Sequence, residues 1–338
     1  MDVDKRAYIL RRLKLDVLAV DMQWSLFIAA LKSYRRDTVL RPFPPMFDEL
    51  QNGEHTEKDY DTLERVIKEI PTWDAMLSGA LNKSSDQFVD LFHWVIQGKR
   101  FALQACPKDE FDTIKALTKQ VVQVAAPDYV FEMVYSKDRE EKFKELQGDR
   151  NLLYAYHGSR TDNFHSITHH GLHSHMNKTS LFGEGTYLSS ELSVSMPYSP
   201  SGAGWSESWL GTQMSCVAVC EVIDDPNSVK CQHKENDSEQ SPLRNRSRAQ
   251  ASGSMAGEVP EKYYIVQNND VLRIKYILVY ITERPKKRNN VSSKRTLAWL
   301  MSHKFLIVMI LYAVVLLVVG LYNSRAFQIM LRRYTRMR

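Results

Sequence analysis

The sequence predicts an α+β protein, in which a helical N-terminal domain and a β-rich domain are followed by one C-terminal transmembrane helix. Three observations favour this fold class. Apolar residues recur at helical spacing over residues 1–100, short β-branched and aromatic runs separated by turn residues follow, and an uncharged apolar segment lies near the end of the chain. The 338 residues suffice for two domains, and a content of 43% hydrophobic and 25% charged residues is typical of globular proteins.

The helical domain is predicted from three apolar stripes in residues 1–100. The first stripe, at positions 24–31, follows Asp21, which we expect to be the N-cap of its helix. The proline-rich segment 41–45 breaks the pattern, and stripes at 60–70 and 88–95 predict two further helices. Since the stripes contain no obvious catalytic group, we interpret this region as a regulatory domain.

The β-rich domain is predicted over residues 101–283. Its apolar runs of strand length are separated by Gly, Ser and Asn, as in antiparallel sheets, and they lie at 152–156, 214–223, 263–266 and 271–281. A short helix after the first run is expected to start at Asp162 as its N-cap and to end at Gly171. Residues 226–260 contain no aromatic side chain and many polar ones, which predicts an exposed, mobile loop.

A membrane anchor is predicted from Phe305 to Tyr322, a run of 18 residues without a charge. As a helix the run would be about 27 Å long, close to the ~30 Å hydrocarbon core of a bilayer. Because residues 1–22 lack a signal-peptide core and few residues follow the run, we expect a single-pass tail anchor with the large domain in the cytosol. The basic linker 284–304 is expected to contact anionic lipid, and a short basic tail spans 323–338.

The charge distribution argues against nucleic acid as a partner. The formal net charge is +5, but residues 284–338 contain 12 Lys and Arg and no acidic residue. Residues 1–283 therefore hold 33 basic against 40 acidic side chains, a net charge of −7. A surface of this sign does not favour binding to phosphate backbones.

Two clusters suggest metal or redox chemistry at first sight. The four cysteines form no CxxC pair and are expected to be reduced thiols. Five of the ten histidines lie between 165 and 175, with His165 and His169 four apart on a predicted helix. Because no nearby cysteine completes a zinc site, we expect these histidines to lie on the surface or in loops and predict no metal.

Three segments of the β-rich domain contain side chains typical of chemistry. They are Tyr156-His157-Gly158-Ser159 at the end of a strand, the turn 183–189 followed by Ser195 and Tyr198, and Lys262–Val266 leading into the last strand. Each segment is a weak signal alone. In this order and spacing they resemble the ADP-ribosyltransferase domain of the poly(ADP-ribose) polymerase family, the diphtheria-toxin-like branch, over roughly residues 120–282.

The resemblance implies a fold, a substrate and a location. It implies a catalytic domain of two packed antiparallel sheets that consumes NAD as a substrate, and no cofactor is expected. The sequence contains no GxGxxG motif, so a Rossmann mode of NAD binding is not supported. Together with the helical domain and the anchor, the chain is most similar to the tail-anchored mono-ADP-ribosyltransferase branch of that family. This implies the endoplasmic reticulum membrane, with the catalytic domain cytosolic.

The resemblance also implies residues that bind NAD. His157 would bond a ribose hydroxyl, Gly158 would let the nicotinamide amide approach the backbone, and Ser159 would reach the ribose. Ser195 would contact the carboxamide.

Two aromatic residues would cover the nicotinamide ring. The resemblance implies that Tyr187 stacks on one face and Tyr198 on the other, at about 0.5–2 kcal/mol per ring. Residues Leu172 to Phe182 would form the loop over the donor site. Under this assignment His157, Tyr187 and Tyr263 are the catalytic residues.

The third signature position determines the length of the product. Polymer-forming family members have Glu there, whereas this chain has Tyr263, or Tyr264 if the alignment slips by one residue. A phenol with a pKa of about 10 is a poor base at neutral pH. We therefore expect transfer of one ADP-ribose to protein acceptors, including the enzyme itself. The alternative is a catalytically inactive, membrane-tethered scaffold that binds NAD.

Overall fold

A computed structural model describes residues 4–51, 54–98, 100–172, 181–232, 248–251, 254, 255 and 257–283, with Tyr312, Leu316, Val319 and Gly320. The chain divides into two compact units, Met1–Pro285 and Lys286–Arg338. No helix formed by the described residues is both long and apolar enough to cross a membrane. Apart from the four residues just named, the predicted linker, span and tail at 284–338 lie outside the described residues.

Three of the ten α-helices formed by the described residues of the first unit lie where the apolar stripes predict them. Their bounds are α1 Lys5–Leu15, α2 Val17–Leu31, α3 Arg36–Val39, α4 Tyr60–Lys68, α5 Trp73–Leu77, α6 Asp86–Ile96, α7 Glu110–Leu117, α8 Lys137–Gln147, α9 Phe164–His170 and α10 Leu192–Ser195. The predictions of helices at 24–31, 60–70 and 88–95 are confirmed by α2, α4 and α6.

Asp21 is not the N-cap that the sequence predicts. α2 starts five residues earlier than predicted, with Asp16 as its N-cap, where Oδ1 of Asp16 accepts the backbone N–H of Ala19 at 2.9 Å. The apolar residues of α2 surround the helix, so the stripe did not mark its first turn. Met22 and Leu26 pack into the core of the sheet, whereas Trp24 and Phe27 pack into the core of the helical region. α2 is thus shared by both cores.

The strands are β1 Asp48–Gln51, β2 Glu54–Lys58, β3 Phe101–Cys106, β4 Tyr129–Tyr135, β5 Leu152–Ser159, β6 Thr186–Ser189, β7 Gly202–Ala203, β8 Gln213–Ile223, β9 Val229–Lys230, β10 Tyr263–Val266 and β11 Leu272–Glu283. The hairpin β1–β2 was not predicted. The other strands in the described chain form one nine-stranded antiparallel sheet in the order β3-β4-β11-β8-β5-β6-β10-β9, with β7 beside β8.

The sequence predicts two packed sheets, but the described strands form this single sheet, in which the connection between β5 and β6 is narrow. In the described residues β5 and β6 are joined only by the pair of Tyr156 with Ser189. From His157 to Ser159, β5 pairs with β8 alone. The segment His157-Gly158-Ser159 therefore lies where β5 and β6 are no longer paired.

Two further sequence predictions need correction. The loop predicted as exposed over 226–260 is buried at both ends, where Val229, Cys231 and Val259 pack inside, and residues 233–247 lie outside the described chain. Asp162 does not cap α9 either; it is buried in a 3-10 turn just before that helix. Gly171 does end α9, with a φ of 87° that only glycine adopts readily.

Candidate active site

All seven site residues predicted from the sequence line one cleft of about 460 Å³. They are His157, Gly158, Ser159, Tyr187, Ser195, Tyr198 and Tyr263. They come from β5, β6, α10 with the turn after it, and the first residue of β10. The sequence reasoning missed three wall residues, Leu188, Ser189 and Val194, whereas Leu181 and Phe182 fall in the predicted donor loop. Residues 173–180 of that loop lie outside the described chain.

His157 is held as a neutral imidazole with a defined tautomer. Its Nδ1 lies 2.9 Å from the carbonyl oxygen of Tyr187. Since a carbonyl can only accept, Nδ1 carries the proton and Nε2 is left as an acceptor. Burial lowers the pKa of His157, although this hydrogen bond partly opposes the effect. The ring can therefore accept a hydrogen bond from a hydroxyl group over the neutral pH range.

Gly158 allows α10 to pack directly on β5. A Cβ atom at this position would collide with the carbonyl oxygen of Ser195 and would lie 2.9 Å from Cβ of Tyr198. The first reason for glycine here is thus the close approach of two protein segments, not of a ligand. Ser195 is buried, and its Oγ donates to the carbonyl oxygen of Tyr156 at 3.1 Å. With its proton used, this oxygen retains acceptor capacity.

Tyr187 holds the turn that precedes its own strand. Its hydroxyl donates to the carbonyl oxygen of Gly183 at 2.7 Å and accepts the backbone N–H of Phe182 at 3.0 Å. Burial raises the pKa of this phenol. Gly185 follows with a φ of 151° and packs against Ile265 of β10. The hydrogen bonds of its hydroxyl group therefore fix the orientation of the Tyr187 ring at the cleft.

Tyr263, not Tyr264, lies at the cleft. In the β10–β6 pair Tyr263 is the register partner of Ser189, which also lines the cleft. Tyr264 points to the opposite face and packs on the core of the sheet. The Tyr263 ring lies 6.3 Å from that of Phe182, and burial, followed by the nearby Tyr198, raises its pKa. Among the described residues, no Asp or Glu lines this cleft.

The histidine cluster does not form a metal site in the described residues. His165 is buried rather than on the surface, its Nε2 lies 3.1 Å from the carbonyl oxygen of Pro42, and its ring packs edge-on against Phe27. His169 bonds the backbone of His165 through Nδ1. In this part of the chain no group of three or more His, Cys, Asp and Glu could hold a metal ion. Ring packing explains this pair, with His165 against Phe27 of α2 and His169 against Phe101 of β3. His173 and His175 lie outside the described chain.

Comparison with known proteins gives matches over the helical region and over the region that forms the sheet. Residues 108–282 match the model of the poly(ADP-ribose) polymerase catalytic domain, and residues 11–96 match the ARTD15 N-terminal domain. Protein mono-ADP-ribosyltransferase PARP16 of Mus musculus is 45% identical over 328 residues, 97% of each chain. Its Homo sapiens counterpart is 45% identical over 314 residues, 93% of each chain. Protein mono-ADP-ribosyltransferase PARP8 of Mus musculus is 23% identical over 253 residues, 62% of this chain and 29% of that protein. The chain described here therefore belongs to the poly(ADP-ribose) polymerase family.

Proposed function

We propose that this protein transfers a single ADP-ribose unit from NAD to protein acceptors. The observation that carries the proposal is the position of Tyr263, which faces a cleft with a neutral His157 and no carboxylate among its described lining residues. The relatives named above as protein mono-ADP-ribosyltransferases support it.

The proposed reaction breaks the bond between the nicotinamide nitrogen and C1′ of the ribose. The electron pair leaves with nicotinamide, and positive charge develops on the ribose, as in other glycosyl transfers. A nucleophile of the acceptor then supplies the pair for the new bond to C1′ and gives up its proton. Stacking on Tyr187 and Tyr198 would bind the cationic ring of NAD, and Nε2 of His157 would accept a ribose hydroxyl.

Termination after one unit follows from the chemistry at Tyr263. Elongation requires a base that activates a hydroxyl group of an ADP-ribose already bound to the acceptor. The pKa of the Tyr263 phenol is raised by burial, so it remains protonated at neutral pH and cannot serve as that base. The acceptor must therefore provide a nucleophile of its own, such as a carboxylate or an amine.

Membrane anchoring is part of the proposal. The 18 uncharged residues from Phe305 to Tyr322 and the seven Lys and Arg in 284–304 support a single span next to anionic lipid. We place the protein in the endoplasmic reticulum membrane by resemblance to its branch of the family, with the catalytic unit cytosolic. Resistance to alkaline extraction from membranes, lost when 305–322 is deleted, is the expected result. Extraction of the full chain at alkaline pH would contradict it.

The transferase proposal is tested by giving the full-length protein labelled NAD and measuring both nicotinamide release and label on protein. We expect label in single units, some of it on the enzyme, and loss of both signals in His157→Ala and Tyr187→Ala. Tyr264→Phe is the matched control, since its ring packs on the opposite face of β10. Ladders of polymer would refute single-unit transfer. Binding of NAD without release would favour the inactive scaffold, for which the absence of a cleft carboxylate in the described residues is the motivating observation.

A further inference from the structure

The turn that follows β5 connects the helical region to the cleft. It is a 3-10 turn, Thr161–Asn163, directly after the signature serine and one arginine. Two side chains that follow α2 contact it. Oγ of Ser33 donates to Oδ2 of Asp162 at 2.7 Å, and Nη2 of Arg35 donates to Oδ1 of Asn163 at 2.9 Å. These contacts join segments about 130 residues apart in the sequence.

The contact with Arg35 fixes the orientation of the Asn163 amide. A guanidinium group has only donors, so it must face the amide oxygen. The amide nitrogen then points the other way, and Nδ2 of Asn163 donates to Oγ of Ser159 at 2.9 Å. Rotating the amide by half a turn would place two donors against each other at Arg35 and leave Ser159 facing an acceptor.

The consequence is a fixed role for the Ser159 hydroxyl. Because its oxygen accepts from Asn163, its own proton is directed elsewhere, and Ser159 lines the cleft. The backbone N–H of Ser159 is used as well, since it donates to Oγ of Ser199 at 3.2 Å. The hydroxyl proton is therefore the donor that Ser159 can offer to a substrate.

The turn is held by several contacts besides those of Arg35, whose Nη2 also pairs with Oδ1 of Asp162 at 3.6 Å. Oγ1 of Thr161 donates to the carbonyl oxygen of Met214 in β8 at 2.8 Å, and a Cβ atom on Gly202 would lie 2.9 Å from Cβ of Thr161. Asp162 is also bonded by Nε of Arg160 at 3.1 Å. Loss of Arg35 should hence release the Asn163 amide while the turn stays in place.

We infer that Arg35 is a positioning residue through which the helical domain sets the affinity for NAD, by fixing Asn163 so that Ser159 donates its proton into the cleft. The inference rests on the proposed function, because it assigns that donor to the ribose of NAD. It makes the helical domain part of the substrate site although no side chain of that domain lines the cleft in the described residues.

Steady-state nicotinamide release by the full-length protein tests this role. Arg35→Met should raise KM for NAD about fivefold to tenfold, the loss expected for one misdirected hydrogen bond, and should leave kcat within about twofold. Arg36→Met is the matched control, because Arg36 pairs with Glu64 and stacks on Tyr60 instead. In a Ser159→Ala background, Arg35→Met should raise KM no further, since the donor that it positions is gone.

Asn163→Asp separates positioning from simple stability. The new carboxylate can keep the contact with Arg35, but it has no proton for Ser159, which would then donate to the carboxylate rather than to NAD. We expect KM to rise as for Arg35→Met while Tm stays equal or rises.

An unchanged KM in both variants would overturn the inference, as would additive effects of Arg35→Met and Ser159→Ala. If the parent protein binds NAD without turnover, the proposed function fails and the same comparisons are made on the Kd of NAD, whereas no binding at all would refute both.

Discussion

Oδ2 of Asp21 accepts the backbone N–H of Trp209 at 2.6 Å, which joins the middle of α2 to the loop before β8. The same oxygen lies 3.3 Å from the backbone N–H of Leu210, and Oδ1 accepts from Oγ of Ser25 at 3.2 Å. Asp21 is fully buried. Burial raises its pKa to about 6, more than the hydrogen bonds from this loop lower it.

Asp21 should make stability depend on pH in an unusual direction for an acidic group. Because the folded-state pKa lies above the ordinary value of 3.8, the folded protein binds the proton more tightly than the unfolded chain. The stabilisation is fully present below pH 4 and is lost as pH rises towards 6. Relative to Asp21→Asn, the native protein should lose about 2–3 kcal/mol in the free energy of unfolding between pH 4 and pH 7.5.

Denaturant unfolding at both pH values measures this difference, with Asp61→Asn on the exposed side of α4 as the control. Asp21→Ala should cost about 1–3 kcal/mol at pH 4, because the N–H groups of Trp209 and Leu210 lose their acceptor, and about 2–3 kcal/mol less at pH 7.5, where the native protein has lost the stabilisation from its protonated carboxyl. If the difference in the free energy of unfolding between the native protein and Asp21→Asn does not change with pH, the pKa of Asp21 is not shifted.

The hydroxyl of Tyr187 should matter for substrate binding even though both of its hydrogen bonds are made to the turn before β6. Tyr187→Phe keeps the ring but removes the bonds to Phe182 and Gly183. We expect KM for NAD to rise about tenfold, since two hydrogen bonds of about 1 kcal/mol hold the turn, and we expect Tyr187→Ala to be inactive. Tyr60→Phe, which loses one bond to Asp37 far from the cleft, serves as the control. Equal activity of Tyr187→Phe and the native protein would refute this role for the turn.

The ring of Tyr263, not its hydroxyl, should contribute to transfer. A phenol with a raised pKa does not act as a base near neutral pH, so Tyr263→Phe should keep kcat within about twofold and still attach single units. Tyr263→Ala removes the ring beside Phe182 and should raise KM for NAD. Rates and product sizes from labelled NAD measure both effects. A tenfold loss in Tyr263→Phe would assign the hydroxyl a chemical role.

The sequence grouped the residues that line the cleft better than it predicted the packing around them. The strand pattern placed Tyr263 at a strand start, and alternation along β10 then distinguishes it from Tyr264. Asp21 was misassigned because α2 is apolar on all sides, so no stripe showed where the helix began. His165 was expected at the surface because its contact with the ring of Phe27, a residue far away in the sequence, cannot be seen from the local pattern.

Contacts between distant segments were not predictable from local patterns. Arg35 and Asn163 are 128 residues apart, and neither belongs to a motif that the sequence analysis used. Asn163 lies four residues after Ser159, which is a weak local signal for their hydrogen bond. The narrow connection between β5 and β6 depends on which strands pair across the sheet, and the runs of apolar residues do not predict that pairing.

Gly158 should be required for folding before it is required for binding. In Gly158→Ala the new Cβ atom would overlap the carbonyl oxygen of Ser195, and neither backbone can move freely because β5 pairs with β8 and Ser195 is bonded to Tyr156. We expect a loss of about 3 kcal/mol or more in the free energy of unfolding, at the upper end for overpacking. Gly79→Ala is the control, with a left-handed φ of 102° but no atom within 4 Å of the new Cβ, and should cost only about 1–2 kcal/mol. Denaturant unfolding compares the two variants. Equal costs would mean that α10 can move away from β5, and the requirement for glycine would then have to come from the bound NAD.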